Sequence, residues 1–168
     1  MFRRLVPVVA ALALAASAAA APAPSAEAAF EKLKQLAGSW DAEVAGMPGM
    51  DVTVSWKVTA GGSAVVETLF EGAPHEMVSV YFIDRGVLRM THYCAAGNQP
   101  RMRYDASKSA EGDLAFVFDG GTNLNPKRDT HIHEGRIAWG PDGVEERWIG
   151  WDAGKQADVK AFKLSKRM

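Results

Sequence analysis

The chain of 168 residues contains a single cysteine, Cys94, so it cannot close an internal disulfide, and in an oxidising compartment its core alone must hold the fold. Charge of one sign never gathers into a block, because 19 Lys and Arg are spread among 20 Asp and Glu. A nucleic-acid partner, which selects for a basic face, is therefore not expected. The one long apolar run, from Leu5 to Ala21, is interrupted by Pro7 and falls short of the roughly 20 residues that a membrane-spanning helix needs. Common catalytic signatures are also missing. No Gly-x-Ser-x-Gly elbow is present, and His75-Glu76 lacks the second histidine of a zinc-protease helix. Gly61-Gly62 and Gly120-Gly121 join strand-like runs, whereas a phosphate-cradling loop leads into a helix.

The chain opens Met1-Phe2-Arg3-Arg4, continues through the uncharged run and ends that run on small residues. This is the layout of an export signal, and we expect residues 1–21 to be a signal peptide cut near Ala20 or Ala21. Arg3-Arg4 also raises the twin-arginine route, although Leu5, Val6 and Pro7 replace the usual surround. A lipid anchor would need a cysteine just after the apolar run, and Cys94 is far from it. The expected product is periplasmic or secreted, has no membrane anchor and carries a charge of about −3. Its roughly 147 residues suffice for one domain without staples.

Residues 22–25 read as a linker, because Pro22 and Pro24 prevent helix and Ser25 can cap a helix that starts at Ala26. From Ala26 to Ala37 the apolar positions Phe30, Leu33, Leu36 and Ala37 recur at helical spacing, and Gly38 stops the run. The period then changes to two. Val52, Val54, Trp56 and Val58 alternate with Asp51, Thr53, Ser55 and Lys57, as in a strand with one buried face. Comparable runs occupy Ala64 to Phe70, Met77 to Ile83, Val87 to Cys94, Arg101 to Tyr104, Leu114 to Phe118, His131 to Trp139, Val144 to Trp151 and Gln156 to Leu164. Turn signals such as Asp84-Arg85-Gly86 and Pro141-Asp142-Gly143 separate them. About ten short strands with one helix imply an all-β fold, and closure into a single antiparallel up-and-down barrel over residues 26–168 removes exposed edges. Asp119 to Thr130, rich in glycine and asparagine, reads as a mobile loop at one barrel end.

Leu36-Ala37-Gly38-Ser39-Trp40, a helix end running into Gly-x-Trp, resembles the opening of lipocalins and their calycin relatives. The resemblance implies that Trp40 packs at the closed end under the helix, with Lys166 or Arg167 as the cation over its ring. Such a contact contributes roughly 0.5–2 kcal/mol. Thr91 to Arg103 and His131-Ile132-His133-Glu134-Gly135-Arg136 are similar to segments of uncharacterised exported bacterial lipocalin-like proteins, a group whose resemblance brings no settled activity. Haem-binding nitrobindins are similar in outline, but their haem-ligand segment has no match here and that role is not carried over.

Alternation also sorts the residues that carry chemistry. Leu88, Met90, His92 and Cys94 share a face, and the apolar members mark it as interior. By the same parity His131, His133, Ile137 and Trp139 share a face. Three of the four histidines and the cysteine are thus candidates for one cavity. Imidazole and thiolate suit zinc, copper or iron, and the same groups can equally be interior polar residues bonded to neighbours, water or an organic ligand. His131-x-His133 also suggests a cupin metal pair, but Ile137 and Ala138 stand where its glutamate belongs. Arg101 and Arg103 share parity, with Asn98 and Gln99 just before them. Facing inward they would take a carboxylate, and facing outward they are solvated surface. His75 reads as exposed, and Trp56, Trp139, Trp148 and Trp151 read as core.

The leading expectation is an exported barrel for a small hydrophobic or amphipathic molecule, with His92, Cys94, Gln99, Arg101, His131 and His133 as ligand-binding candidates. No catalytic residue or cofactor is assigned. Two alternatives stay open: a metal- or haem-dependent barrel using the same His and Cys residues, and an interaction protein acting through its outer surface and the Asp119 to Thr130 loop.

Overall fold

The computed structural model describes residues 21–50 and 52–167, and the expected signal peptide lies almost wholly outside them. One α-helix, α1 (Ala26–Lys34), precedes ten strands. These are β1 (Gly38–Val44), β2 (Val52–Thr59), β3 (Ala64–Leu69), β4 (Met77–Asp84), β5 (Val87–Tyr93), β6 (Gln99–Tyr104), β7 (Asp113–Thr122), β8 (His131–Gly140), β9 (Gly143–Asp152) and β10 (Lys155–Lys166). Each strand pairs antiparallel with the next, and β1 also pairs with β10, so the meander closes into the expected up-and-down barrel. The architecture is compatible with a calycin-like fold.

The Ser25 side chain caps α1 by accepting from Ala28 N–H at 3.2 Å, which satisfies one orphan donor of the first turn. The helix is shorter than the expected Ala26 to Ala37. Its last residues tighten, with Leu36 N–H bonding Leu33 C=O at 3.0 Å and Ala37 N–H bonding Lys34 C=O at 3.2 Å, the i-to-i+3 pattern common at helix ends. Gly38 then turns the chain into β1 at φ +129°, a backbone angle that disfavours a side chain. Ala29, Phe30, Leu33 and Leu36 face the barrel and close that end.

Trp40 lies under the helix. It is buried, and its indole N–H donates to Leu36 C=O at 2.8 Å. Of the two cation candidates, Lys166 takes the place, with Nζ 5.6 Å from the ring centre. Arg167 turns instead to Asp41 and Thr53. Inward residues Val65, Leu88, Leu114, Ile137 and Leu164 pack above Trp40 and fill the helix half of the barrel.

The loop expected from Asp119 to Thr130 is shorter, because β7 continues through Gly120 and Gly121 to Thr122 and leaves residues 123–130 as the connection. Gly120 adopts φ +97° and pairing with β6 shifts register nearby, so these glycines bend the strand rather than end it. Asp129 accepts from Asn125 N–H at 2.7 Å and Thr130 donates to Asp152 at 2.7 Å, tying the connection to itself and to β9.

Candidate functional site

The end of the barrel opposite α1 is hollow. A cavity of about 220 Å³ opens there, and its wall is almost entirely apolar. Leu69 and Phe70 at the end of β3, Phe162 on β10 and Ile132 on β8 form much of that wall, while His92 and Trp148 lie deepest from β5 and β9. Cys94, Ala96 and Thr130 lie toward the mouth, and Asp158 and Lys160 form an ion pair of 3.5 Å there.

The structure brings three of the six candidate residues to this cavity: His92, Cys94 and His131. His92 is 1% exposed, and its Nδ1 lies 3.0 Å from Ser79 Oγ. Burial disfavours the imidazolium and lowers its pKa to about 4, so the ring is neutral at physiological pH. Cys94 sits just past β5, its Sγ 4.0 Å from Met77 Sδ and accepting from Ala96 N–H at 3.5 Å.

His133 is not among the residues that line the cavity. A bulge in β8 between Ile132 and Glu134 shifts the pairing with β9. His133 stacks between Phe118 and Trp151, at centroid distances of 4.5 and 3.8 Å. Its Nδ1 lies 2.9 Å from His131 Nε2, and His131 Nδ1 lies 2.8 Å from Asp129 C=O. A carbonyl only accepts, so His131 Nδ1–H donates to it, and the contact between His131 Nε2 and His133 Nδ1 joins the two rings. Burial, followed by the neighbouring His131, lowers the pKa of His133.

Arg101 and Arg103 take the outward alternative. Both are exposed, while Pro100, Met102 and Tyr104 point inward. The Arg101 guanidinium lies over Gly120 on the outer wall. Gln99 is also away from the cavity lining and bonds Gly97 and Asn123. Asn98 is buried and donates to Thr130 C=O at 2.8 Å, joining the β5–β6 turn to the start of β8.

Beneath the cavity lies a polar layer that the sequence reading missed. Trp56, Glu67, Ser79 and His92 are successive register partners across β2, β3, β4 and β5. Glu67 and Glu146 are both fully buried, and Tyr81 O–H donates to Glu67 at 2.7 Å. Desolvation raises both carboxyl pKa values, with Glu146 pushed well above the ordinary range and raised further by Glu67. The indole N–H groups of Trp56 and Trp148 lie close enough to temper that rise without reaching hydrogen-bond geometry. Two carboxylates offer each other no donor. A proton retained by the pair would supply one, and burial of both carboxyls together with their mutual repulsion favours keeping it.

The missed signal was alternation. Glu67 falls between inward Val65 and Leu69, and Glu146 between inward Val144 and Trp148. Gly135 on β8 makes room for this layer, since a Cβ there would lie 2.5 Å from the Trp148 ring.

Among the described residues, no group of three or more His, Cys, Asp or Glu has metal-holding geometry, and no helix is long and apolar enough to cross a membrane. Neither a scan against protein-family models nor a search of the curated proteins finds a match.

Proposed function

We propose that this barrel binds a small apolar or amphipathic molecule in the cavity at its open end. The observation that carries the reading is the division of the interior, packed solid from α1 to the middle strands and hollow beyond His92 and Trp148. Empty apolar space forfeits dispersion contacts along its lining, and a ligand restores them. Enclosure by apolar walls with a few polar groups at the mouth is the usual form of a small-molecule site. An apolar body would lie against Leu69, Phe162 and Ile132, with a polar group reaching the Asp158–Lys160 pair or His131. The basic and then apolar start of the chain supports a role outside the cytoplasm.

Ala96 is exposed and lines the mouth, so Ala96→Trp plugs the entrance without disturbing the packed half. Titration with the neutral dye N-phenylnaphthylamine, followed by its fluorescence, should give one saturable site in the unaltered protein. Binding should weaken at least about tenfold in Ala96→Trp, equivalent to about 1.4 kcal/mol, with the melting temperature unchanged. Equal binding by both proteins, or none by either, would refute the reading.

A further inference from the structure

His92 lines the cavity floor, and only one of its two ring nitrogens is hydrogen-bonded. Nδ1 lies 3.0 Å from Ser79 Oγ, whereas Nε2 has no hydrogen-bond partner in the protein. Nε2 is the tip of the ring, farthest from the backbone, and His92 points into the barrel with Leu88 and Met90, so the unpaired nitrogen is turned away from the wall. Buried polar atoms are normally paired, and a molecule that reaches the floor can supply the missing partner. Ser79 stands between His92 and Glu67 in the register of β3, β4 and β5, and its hydroxyl is close enough to Glu67 to lower that carboxyl's pKa. A hydroxyl has one proton and two lone pairs. With that proton turned to Glu67, Ser79 Oγ takes Nδ1–H and Nε2 keeps a bare lone pair.

The rest of the lining favours an aromatic body. His92 and Trp148 stack at 6.2 Å between centroids on the floor, Phe70 and Phe162 meet edge to face at 5.6 Å on the side, and Met77 and Cys94 add sulfur. Ring edges, ring faces and sulfur atoms all attract a further ring. An apolar cavity of about 150 Å³ already holds benzene, so one of about 220 Å³ has room for a ring with a short alkyl chain.

We propose, building on the cavity reading above, that the ligand class is a neutral monocyclic phenol whose hydroxyl donates to His92 Nε2 while its ring and a short alkyl substituent fill the apolar cavity. A phenolic O–H ionises only near pH 10, so it reaches the floor as an uncharged donor. A carboxylate brings acceptors alone and would meet the bare nitrogen lone pair to lone pair, besides carrying a charge into an apolar wall. The ring lies against Trp148 and Phe162, and a para substituent runs toward the mouth, where the Asp158–Lys160 pair and His131 meet any polar end. Binding adds one hydrogen bond and leaves every covalent bond in place.

The experiment compares 4-ethylphenol with 1-ethyl-4-fluorobenzene, which share a ring and chain and differ in the donor, by calorimetric titration at pH 7. The unaltered protein should bind the phenol at least about fivefold more tightly, as one net hydrogen bond provides. His92→Phe should keep its affinity for the fluoro compound and lose the preference for the phenol. Should that variant fail to fold, the nitrogen spectrum of the unaltered protein decides: the His92 Nε2 signal should move from the position of a bare nitrogen toward that of a protonated one with 4-ethylphenol, and much less with the fluoro compound. Equal or tighter binding of the fluoro compound by the unaltered protein, a preference for the phenol that survives His92→Phe, or an Nε2 signal that the two compounds move alike overturns the phenol inference and leaves the cavity reading standing. Binding of neither compound overturns both.

Discussion

Replacing Trp40 with alanine lowers stability by about 3–5 kcal/mol, the range for deleting a large buried aromatic. Three losses add in one place. The indole no longer fills the space under α1, its 2.8 Å bond to Leu36 C=O is gone, and Lys166 loses the ring it lies over. Domains of this size have about 5–15 kcal/mol in all, so a fifth or more of the margin goes. Near 150 residues, each kcal/mol shifts the melting point by about 2–4 °C. Calorimetry should therefore show a drop of at least about 6 °C. Lys166→Ala separates the terms, because an exposed cation over an aromatic ring contributes only about 0.5–1 kcal/mol. A Trp40→Ala loss no larger than that of Lys166→Ala would mean that the helix end is not packed as described.

The second large effect is a stability profile that declines toward alkaline pH and is levelled by Glu146→Gln. Glu67 and Glu146 have folded pKa values raised above the ordinary 4.5. Above pH 4.5 the unfolded chain therefore loses protons that the folded protein keeps, and stability falls as pH rises through the folded values. His92 acts in the opposite sense. Its pKa falls from 6.5 to about 4 on folding, so its contribution is complete above pH 6.5 and is lost as pH drops toward 4. The two trends oppose each other between about 4.5 and 6.5. Only the carboxyl trend continues above that window, and the melting temperature should fall from pH 6.5 to pH 9. Glu146→Gln cannot ionise, yet keeps an N–H donor for Glu67 and a carbonyl facing the two indoles. It should raise stability at pH 8 by about 1–3 kcal/mol, within the range for neutral replacement of buried charge, and flatten the slope. Thermal melts at several pH values decide, and a wild-type profile that is level or rising from pH 6.5 to 9 contradicts the paired-carboxyl account.

Much of the barrel was legible in the sequence because strand alternation is a local property. Val52, Val54 and Trp56 on β2 and Leu88 to His92 on β5 reveal their buried faces residue by residue, although Val58, which continues the β2 alternation, is exposed, and turn residues mark where each strand stops. The Gly-x-Trp segment pointed to the closed end, and Trp40 and Lys166 meet there. Element ends were harder. Gly120 and Gly121 read as a loop, yet ladder pairing with Gln99 and Pro100 carries β7 through them. The bulge at His133 was likewise out of reach, because a bulge is a mismatch between two strands and no single strand records it.

The site was legible only in part, for the same reason. Parity placed His92 on the interior face, but could not tell which interior residues cluster around a cavity and which pack against each other. His131 and His133 share parity, and only His131 lines the cavity. Glu67 and Glu146 lie far apart in sequence, and their meeting depends on closure of the barrel between β1 and β10. A lone glutamate in a strand reads as a surface charge, although the inward position of each was open to the counting that located His92.

The central claim is that His92 sits at the floor of an apolar cavity that a small molecule can fill. The most direct test is a long-range proton–nitrogen correlation spectrum of the histidine rings from pH 8 to pH 5, with and without n-hexanol. The account predicts that the His92 ring stays neutral across that range, since its midpoint is pushed to about 4, and that its nitrogen signals move when hexanol enters. A His92 ring that is half protonated near the ordinary value of about 6.5, with signals indifferent to hexanol, would contradict it.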